Sequence, residues 1–158
     1  IFSRTLDYSQ FDVVYAGAQK NMGPAGTTLV IVKDEILGKS GRQIPSMLDY
    51  QIHADKGSMF NTPPVFSIYT TLLTLRWLKN LGGIDVIEAR NNAKAELIYE
   101  EIDRNELFTG YAETNSRSTM NATFQLLDDN HKEKFNTAWT EAGVSGINGH
   151  RSIGGYSI

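Results

Sequence analysis

The sequence contains no cysteine. Disulfide staples, zinc–thiolate sites and thiol nucleophiles are therefore excluded, and no metal is expected. A strong charge of either sign is lacking too: 15 Lys and Arg stand against 18 Asp and Glu, for a formal net charge of −3. No basic cluster interleaves with aromatics, so there is no electrostatic footprint for nucleic acid and none is expected as a partner. No uninterrupted apolar run reaches membrane-spanning length, and no secretory leader pattern is present. No membrane partner is expected, and the cytoplasm is the expected compartment. An initiator methionine is also missing, and Ile1-Phe-Ser-Arg4 enters almost directly into a strand, as in a chain entered midway.

What remains is an ordinary globular balance, 41% hydrophobic and 21% charged over 158 residues. That length suffices for one domain with a sizeable core. The chain is organised around Tyr15-Ala-Gly-Ala-Gln-Lys-Asn-Met-Gly-Pro-Ala-Gly26, which lies between two apolar runs. Phe11–Tyr15 reads as a buried strand and Thr27–Val32 as another, both short and rich in β-branched residues. Gly17, Gly23, Gly26 and Pro24 impose a turn-rich connection between them. Lys20 sits in that loop between two amides, Gln19 and Asn21. A lysine held at a sheet end among neutral polar neighbours can act as an amine nucleophile. Residue types alone leave a solvated turn lysine as the commoner alternative.

Further along, Asp34–Gly38 reads as a short helical turn. Gly38-Lys39-Ser40 imitates the end of a nucleotide-binding loop, but Lys33 stands where that loop requires glycine. Arg42–Lys56 is polar and irregular, and reads as an excursion or as a short edge strand around Met47–Ile52. Thr62 suits a helix N-cap and Pro63 the first helical position, since proline has no N–H to satisfy. A long helix is expected over Val65–Leu81, apolar on more than one stripe and ended by Gly82-Gly83. Asn61 and Thr62 before it admit two readings: plain capping, or phosphate binding at a helix N-terminus.

A second long helix is expected over Ile84–Asn105, with Ile84, Ile87, Ala93, Leu97, Ile98 and Ile102 inward and a solvated charged face outward. Asn105–Ser118 lacks a period, Thr119–Leu126 alternates as a half-buried strand, and Lys132–Ala142 reads as an amphipathic helix stopped by Gly143. Asn121-Ala-Thr123 matches a glycosylation acceptor by chance, since it lies inside the expected strand. His150-Arg151, just before Gly154-Gly155, is most simply an exposed polar pair, although imidazole and guanidinium together suit a phosphate monoester.

Three of these stretches carry a resemblance. Tyr15–Gly26, Gly57-Ser-Met-Phe-Asn-Thr-Pro-Pro64 and Gly149-His-Arg-Ser-Ile-Gly-Gly155 resemble segments of the phosphoserine aminotransferase family, fold-type-I enzymes that use pyridoxal 5′-phosphate (PLP). The resemblance runs through the whole chain and corresponds to the C-terminal portion of a family member. It implies an α/β fold: residues 1–83 as the end of a large three-layer α/β/α PLP-binding domain with a mostly parallel sheet, then residues 84–158 as a small α+β domain. By the same resemblance Lys20 is the catalytic lysine that carries PLP, and Gln19 binds the cofactor phosphate. Asn61 and Thr62 reach the neighbouring subunit's PLP in a homodimer, and His150 and Arg151 bind the substrate phosphate.

The implied reaction moves an amino group between glutamate and 3-phosphohydroxypyruvate, giving phosphoserine and 2-oxoglutarate in serine biosynthesis. The related step of pyridoxal phosphate biosynthesis is also open, as are another fold-type-I PLP enzyme and a non-catalytic dimerising fragment. One departure stands out. The family continues Gly-Gly-x-Arg-Ala-Ser-Ile, its arginine holding the substrate α-carboxylate, whereas this chain reads Gly154-Gly-Tyr-Ser-Ile158.

Overall fold

The computed structural model describes residues 1–158 and divides into two compact units, Ile1–Ile87 and Glu88–Ile158. In the first, β1 (Val13–Gly17) and β2 (Thr28–Val32) pair antiparallel in the register Val13↔Val32 to Gly17↔Thr28. The mostly parallel sheet expected here is not what these strands form. Parallel neighbours need a long crossover, whereas the connecting loop lets the chain double back directly. Nor is β1 buried: Val13, Tyr15 and Gly17 are exposed, with Tyr15 75% accessible.

A 3-10 turn at Ser46–Leu48 leads into α1 (Tyr50–Asp55). The edge-strand reading does not hold there: Asp49 caps the helix, its carboxylate accepting from the Gln51 N–H at 2.9 Å. That bond satisfies an N–H the first turn would otherwise leave free, which favours helix over strand. The long helix α2 occupies Val65–Asn80 and begins later than Thr62 and Pro63 suggest. Pro64 stands at its cap, with no side-chain capping bond. Pro63 precedes another proline, whose ring disfavours helical geometry in the residue before it, so the helix starts only beyond Pro64. The Gly82 and Gly83 amides then close the helix on the Lys79 and Leu78 carbonyls, at 3.2 and 3.0 Å and with φ of 114° and 82°. No residue of α2 is buried; Phe66 is 75% and Trp77 57% accessible.

The long helix α3 spans Ile84–Arg104. Its covered stripe runs through Ile84, Ile87, Asn91, Ala95, Ile98 and Ile102, spacings of three, four and seven. Ala93 and Leu97, expected inward, lie off that stripe and are exposed. The second unit contains a three-stranded antiparallel sheet in the order β3 (Phe108–Gly110), β4 (Thr123–Leu126), β5 (Tyr156–Ser157). Strand β3 falls in the stretch without a period. It forms through pairing, Phe108↔Leu126 to Gly110↔Phe124, where tertiary contact outweighs local pattern.

Helix α4 covers Lys132–Glu141. The core of this unit is Ile102, Phe124, Ile147 and Tyr156, packed by Phe108, Phe135 and Trp139 among others. Phe124 stacks on Tyr156 with ring centroids 5.4 Å apart, and Phe135 meets Tyr156 edge-on at 4.9 Å. The buried Tyr156 hydroxyl donates to Asn136 Oδ1 at 2.9 Å, so the polar tip of the ring stays satisfied. Burial pushes the Tyr156 phenol pKa up, keeping it a neutral donor.

Candidate functional site

Lys20 lies in the loop between β1 and β2 and is the one residue other than glycine there with a positive φ. Its φ is 126°, a region that side-chain-bearing residues rarely adopt. The neighbours hold it there: Ala18 is 0% and Met22 2% accessible. The Ala18 N–H donates to the Thr27 carbonyl at 2.8 Å, the Lys20 N–H to Gly23 at 3.1 Å, and the Met22 N–H to Ala18 at 3.2 Å. Gly23, with φ 138°, lies close against Thr71 and Thr74 of α2. Gly26 leaves no room for a Cβ beside the Ser67 hydroxyl, which donates to the Ala25 carbonyl at 3.2 Å.

The Lys20 side chain is exposed and has no carboxylate partner. Lys33, at the end of the same hairpin, contrasts with it. Its ammonium meets Asp12 at 2.9 Å, and that hydrogen bond raises its pKa. Gln19 is also exposed, and a Cβ on Gly17 would fall 2.3 Å from its Oε1, so glycine at position 17 makes space for this amide.

Asn61 and Thr62 lie exposed in the non-helical segment before α2. Asn61 Nδ2 donates to Met47 Sδ at 2.9 Å, and neither residue shares a hydrogen bond with Gln19 or Lys20. Met47 also accepts from the ring of His53, whose Nε2 lies 3.0 Å from the Met47 carbonyl. Met47 is the residue sequence reasoning missed here, because nothing in its spacing marks it as a neighbour of Asn61.

His150 and Arg151 belong to the second unit, on a tight turn. The His150 carbonyl accepts from the Ile153 and Gly154 amides at 3.0 and 2.8 Å, and the Gly149 N–H donates to Gly155 at 2.9 Å. A Cβ on Gly149 would fall 2.1 Å from the Gly154 oxygen, so the approach of the two arms requires glycine. His150 helps line a cavity of about 150 Å³ with Tyr111, Asn121 and Thr123. The Arg151 side chain is exposed and forms no ion pair within the chain. Past Gly155 the chain carries the buried Tyr156 and then Ser157.

In the first unit the donors suit an anionic, amine-reactive ligand: Gln19, Asn61 and Thr62 are neutral donors and Lys20 is a primary amine without a counter-ion. In the second unit, taken by itself, Arg151 provides a forked cationic donor. Residues 1–155 match the model of the class-V aminotransferase family, and the chain belongs to that family. Within it, the similarity is to phosphoserine aminotransferases. That of Flavobacterium psychrophilum is 69% identical over 99% of this chain and 44% of its own length. A solved phosphoserine aminotransferase, studied for radiation damage of its Schiff base, superposes with a TM-score of 0.90 at 47% identity, over 99% of this chain and 44% of that one. The PLP-bound phosphoserine aminotransferase of Trichomonas vaginalis gives a TM-score of 0.85 at 32% identity, over 98% of this chain and 45% of that one. The chain thus spans less than half the length of these relatives. No helix is long and apolar enough to cross a membrane.

Proposed function

We propose that this chain provides the cofactor lysine and the phosphate-binding turn of a PLP-dependent phosphoserine transaminase. The reaction moves an amino group between glutamate and 3-phosphohydroxypyruvate, giving phosphoserine and 2-oxoglutarate. The observation that carries this reading is Lys20: an exposed primary amine on a residue held at φ 126° between buried Ala18 and Met22. Such a conformation costs about 1–3 kcal/mol and persists where the surroundings over-determine it, as they do at functional sites. The similarity to phosphoserine aminotransferases supports the same assignment.

PLP, when bound, supplies an electron sink for the negative charge that develops at the substrate Cα. The residues of this chain would supply part of what that chemistry needs. Lys20 Nζ would hold the cofactor, and its free amine would serve as general base and acid for the proton at the substrate Cα. Gln19 donates its amide hydrogens to the cofactor phosphate. Asn61 and Thr62 do so for the cofactor of a second copy, which makes the working unit a homodimer. Large apolar side chains of α2, among them Phe66, Tyr69 and Trp77, are exposed and are compatible with such an assembly. Residues 1–83 then complete the PLP-binding domain, and residues 84–158 form the small domain, in a protein that acts in the cytoplasm.

His150 and Arg151 bind the phosphate of the phosphorylated substrate, Arg151 by forked charge-assisted bonds. Arg151→Ala is expected to raise KM for 3-phosphohydroxypyruvate about ten- to a hundredfold, the range for a lost hydrogen bond to a charged group. The KM for glutamate should stay within about twofold, since glutamate carries no phosphate. Steady-state kinetics on both substrates checks this, and equal effects on the two would overturn the assignment.

A further inference from the structure

The turn that carries His150 and Arg151 also carries Ser152. Its hydroxyl lies 2.8 Å from His150 Nδ1, and its backbone nitrogen lies 3.3 Å from the same atom. A backbone N–H can only donate, so Nδ1 is the acceptor and carries a lone pair. The hydroxyl that meets this lone pair is then a second donor. A neutral imidazole with Nδ1 unprotonated has its one N–H on Nε2.

The geometry around this contact is fixed independently of Ser152. The His150 carbonyl accepts two amides of the same turn, and the Gly149 N–H ties its base to Gly155. The backbone beneath the ring is therefore defined by these bonds, and the tautomer by the two Ser152 donors on Nδ1. That matters for an anion. A phosphate oxygen needs a donor, and a ring offering a lone pair there would repel it. With Nε2 protonated, His150 contributes a neutral donor, and Arg151 contributes the charge.

We propose that Ser152 is a positioning residue for the phosphorylated substrate, fixing His150 as an Nε2–H donor. This rests on the reading of His150 as a phosphate ligand and deepens it. No residue type in Gly149-His-Arg-Ser-Ile-Gly-Gly155 announces the role; only the shared contact on Nδ1 does.

The test uses the complete, PLP-loaded protein with Ser152→Ala, Ser152→Thr and His150→Ala. Ser152→Ala should raise KM for 3-phosphohydroxypyruvate about three- to tenfold, the weight of one hydrogen bond, leaving kcat and the glutamate KM within about twofold. Ser152→Thr, which keeps the hydroxyl, should restore the wild-type value. Nitrogen-15 NMR of histidine-labelled protein should show His150 protonated at Nε2 in the wild type, and a smaller Nε2-protonated share in Ser152→Ala, where only the longer 3.3 Å backbone N–H remains on Nδ1. An Nδ1-protonated wild-type ring overturns the proposal. So does an unchanged KM in Ser152→Ala where His150→Ala raises it. If His150→Ala itself leaves that KM unchanged while the Nε2 tautomer is observed, the phosphate reading has failed, and the role of Ser152 fails with it.

Discussion

Gly149→Ala isolates the phosphate turn from the rest of the proposed site. The added Cβ would stand 2.1 Å from the Gly154 oxygen, closer than real Cβ atoms come, and 3.0 Å from two backbone carbons, which is tight. Gly149 is absent from the residues with positive φ, so alanine there is strained by contact and not by its own dihedral. The obstacle is backbone, so no rotamer relieves it, and the two arms of the turn must part by about 1 Å. Overpacking of this kind costs about 1–3 kcal/mol. Parting also breaks the 2.9 Å bond from the Gly149 N–H to Gly155, worth about 1 kcal/mol. The total is about 2–4 kcal/mol. A turn that opens to avoid this cost displaces His150 and Arg151 together. Losing about 2 kcal/mol of phosphate binding lowers kcat/KM about thirtyfold.

Stopped-flow kinetics of the two half-reactions separates the effects. The half-reaction with 3-phosphohydroxypyruvate should slow at least about thirtyfold at low substrate, while that with glutamate stays within about twofold. Gly154→Ala serves as the comparison. A Cβ there meets nothing within 4 Å, and the substitution suffers only from its φ of 76°, a cost of about 1–2 kcal/mol. Wild-type kinetics on the phosphorylated substrate in Gly149→Ala would show that the turn tolerates the added Cβ and that its closure does not position His150 and Arg151.

Two further perturbations probe other links. Lys20→Gly should abolish transamination yet raise stability by about 1 kcal/mol, as glycine accepts the 126° φ without strain, whereas Lys20→Ala should abolish activity with no such gain. Urea midpoints of the two variants against wild type check this, and equal midpoints would remove the strain from the argument. Asp103 receives two Arg117 hydrogen bonds, at 2.6 and 2.7 Å, and these hold its carboxyl pKa below the ordinary value. A folded-state carboxyl pKa that is lowered gives stability present above the unfolded value and lost as pH falls through the folded one. The stability gap between wild type and Asp103→Asn should therefore be full near pH 7 and shrink below about pH 4, read from urea midpoints across that range.

Much of the architecture was legible because strong periodicity and strong stop signals coincide. Helices α2, α3 and α4 follow apolar spacing that ends at glycine or polar residues, and β2 is a β-branched run. The failures have local causes. Thr62 has the chemistry of a cap, but the Pro63-Pro64 pair behind it delays the helix. Met47–Ile52 reads as a strand until Asp49 is credited as a cap. The three-residue β3 has no pattern of its own and exists because Phe108 joins the aromatic core.

The site divides in the same way. Lys20, Gln19, Asn61, Thr62, His150 and Arg151 are visible as residue types in resembling strings. The strained φ of Lys20, the grip of Ser152 on His150 and the Met47 contact of Asn61 are not, since each depends on backbone dihedrals or contacts that residue identity does not encode. The exposed apolar side chains of β1 and α2 mark a further limit. An apolar run tells that a surface seeks cover, and the cover can lie outside the chain.

The central claim is that Lys20 carries the cofactor. The complete protein is incubated with PLP, reduced with borohydride, digested, and mapped by mass spectrometry. The expected result is a single phosphopyridoxyl adduct on the peptide containing Lys20. An adduct confined to any other lysine, or no adduct in protein that has taken up PLP, would contradict it.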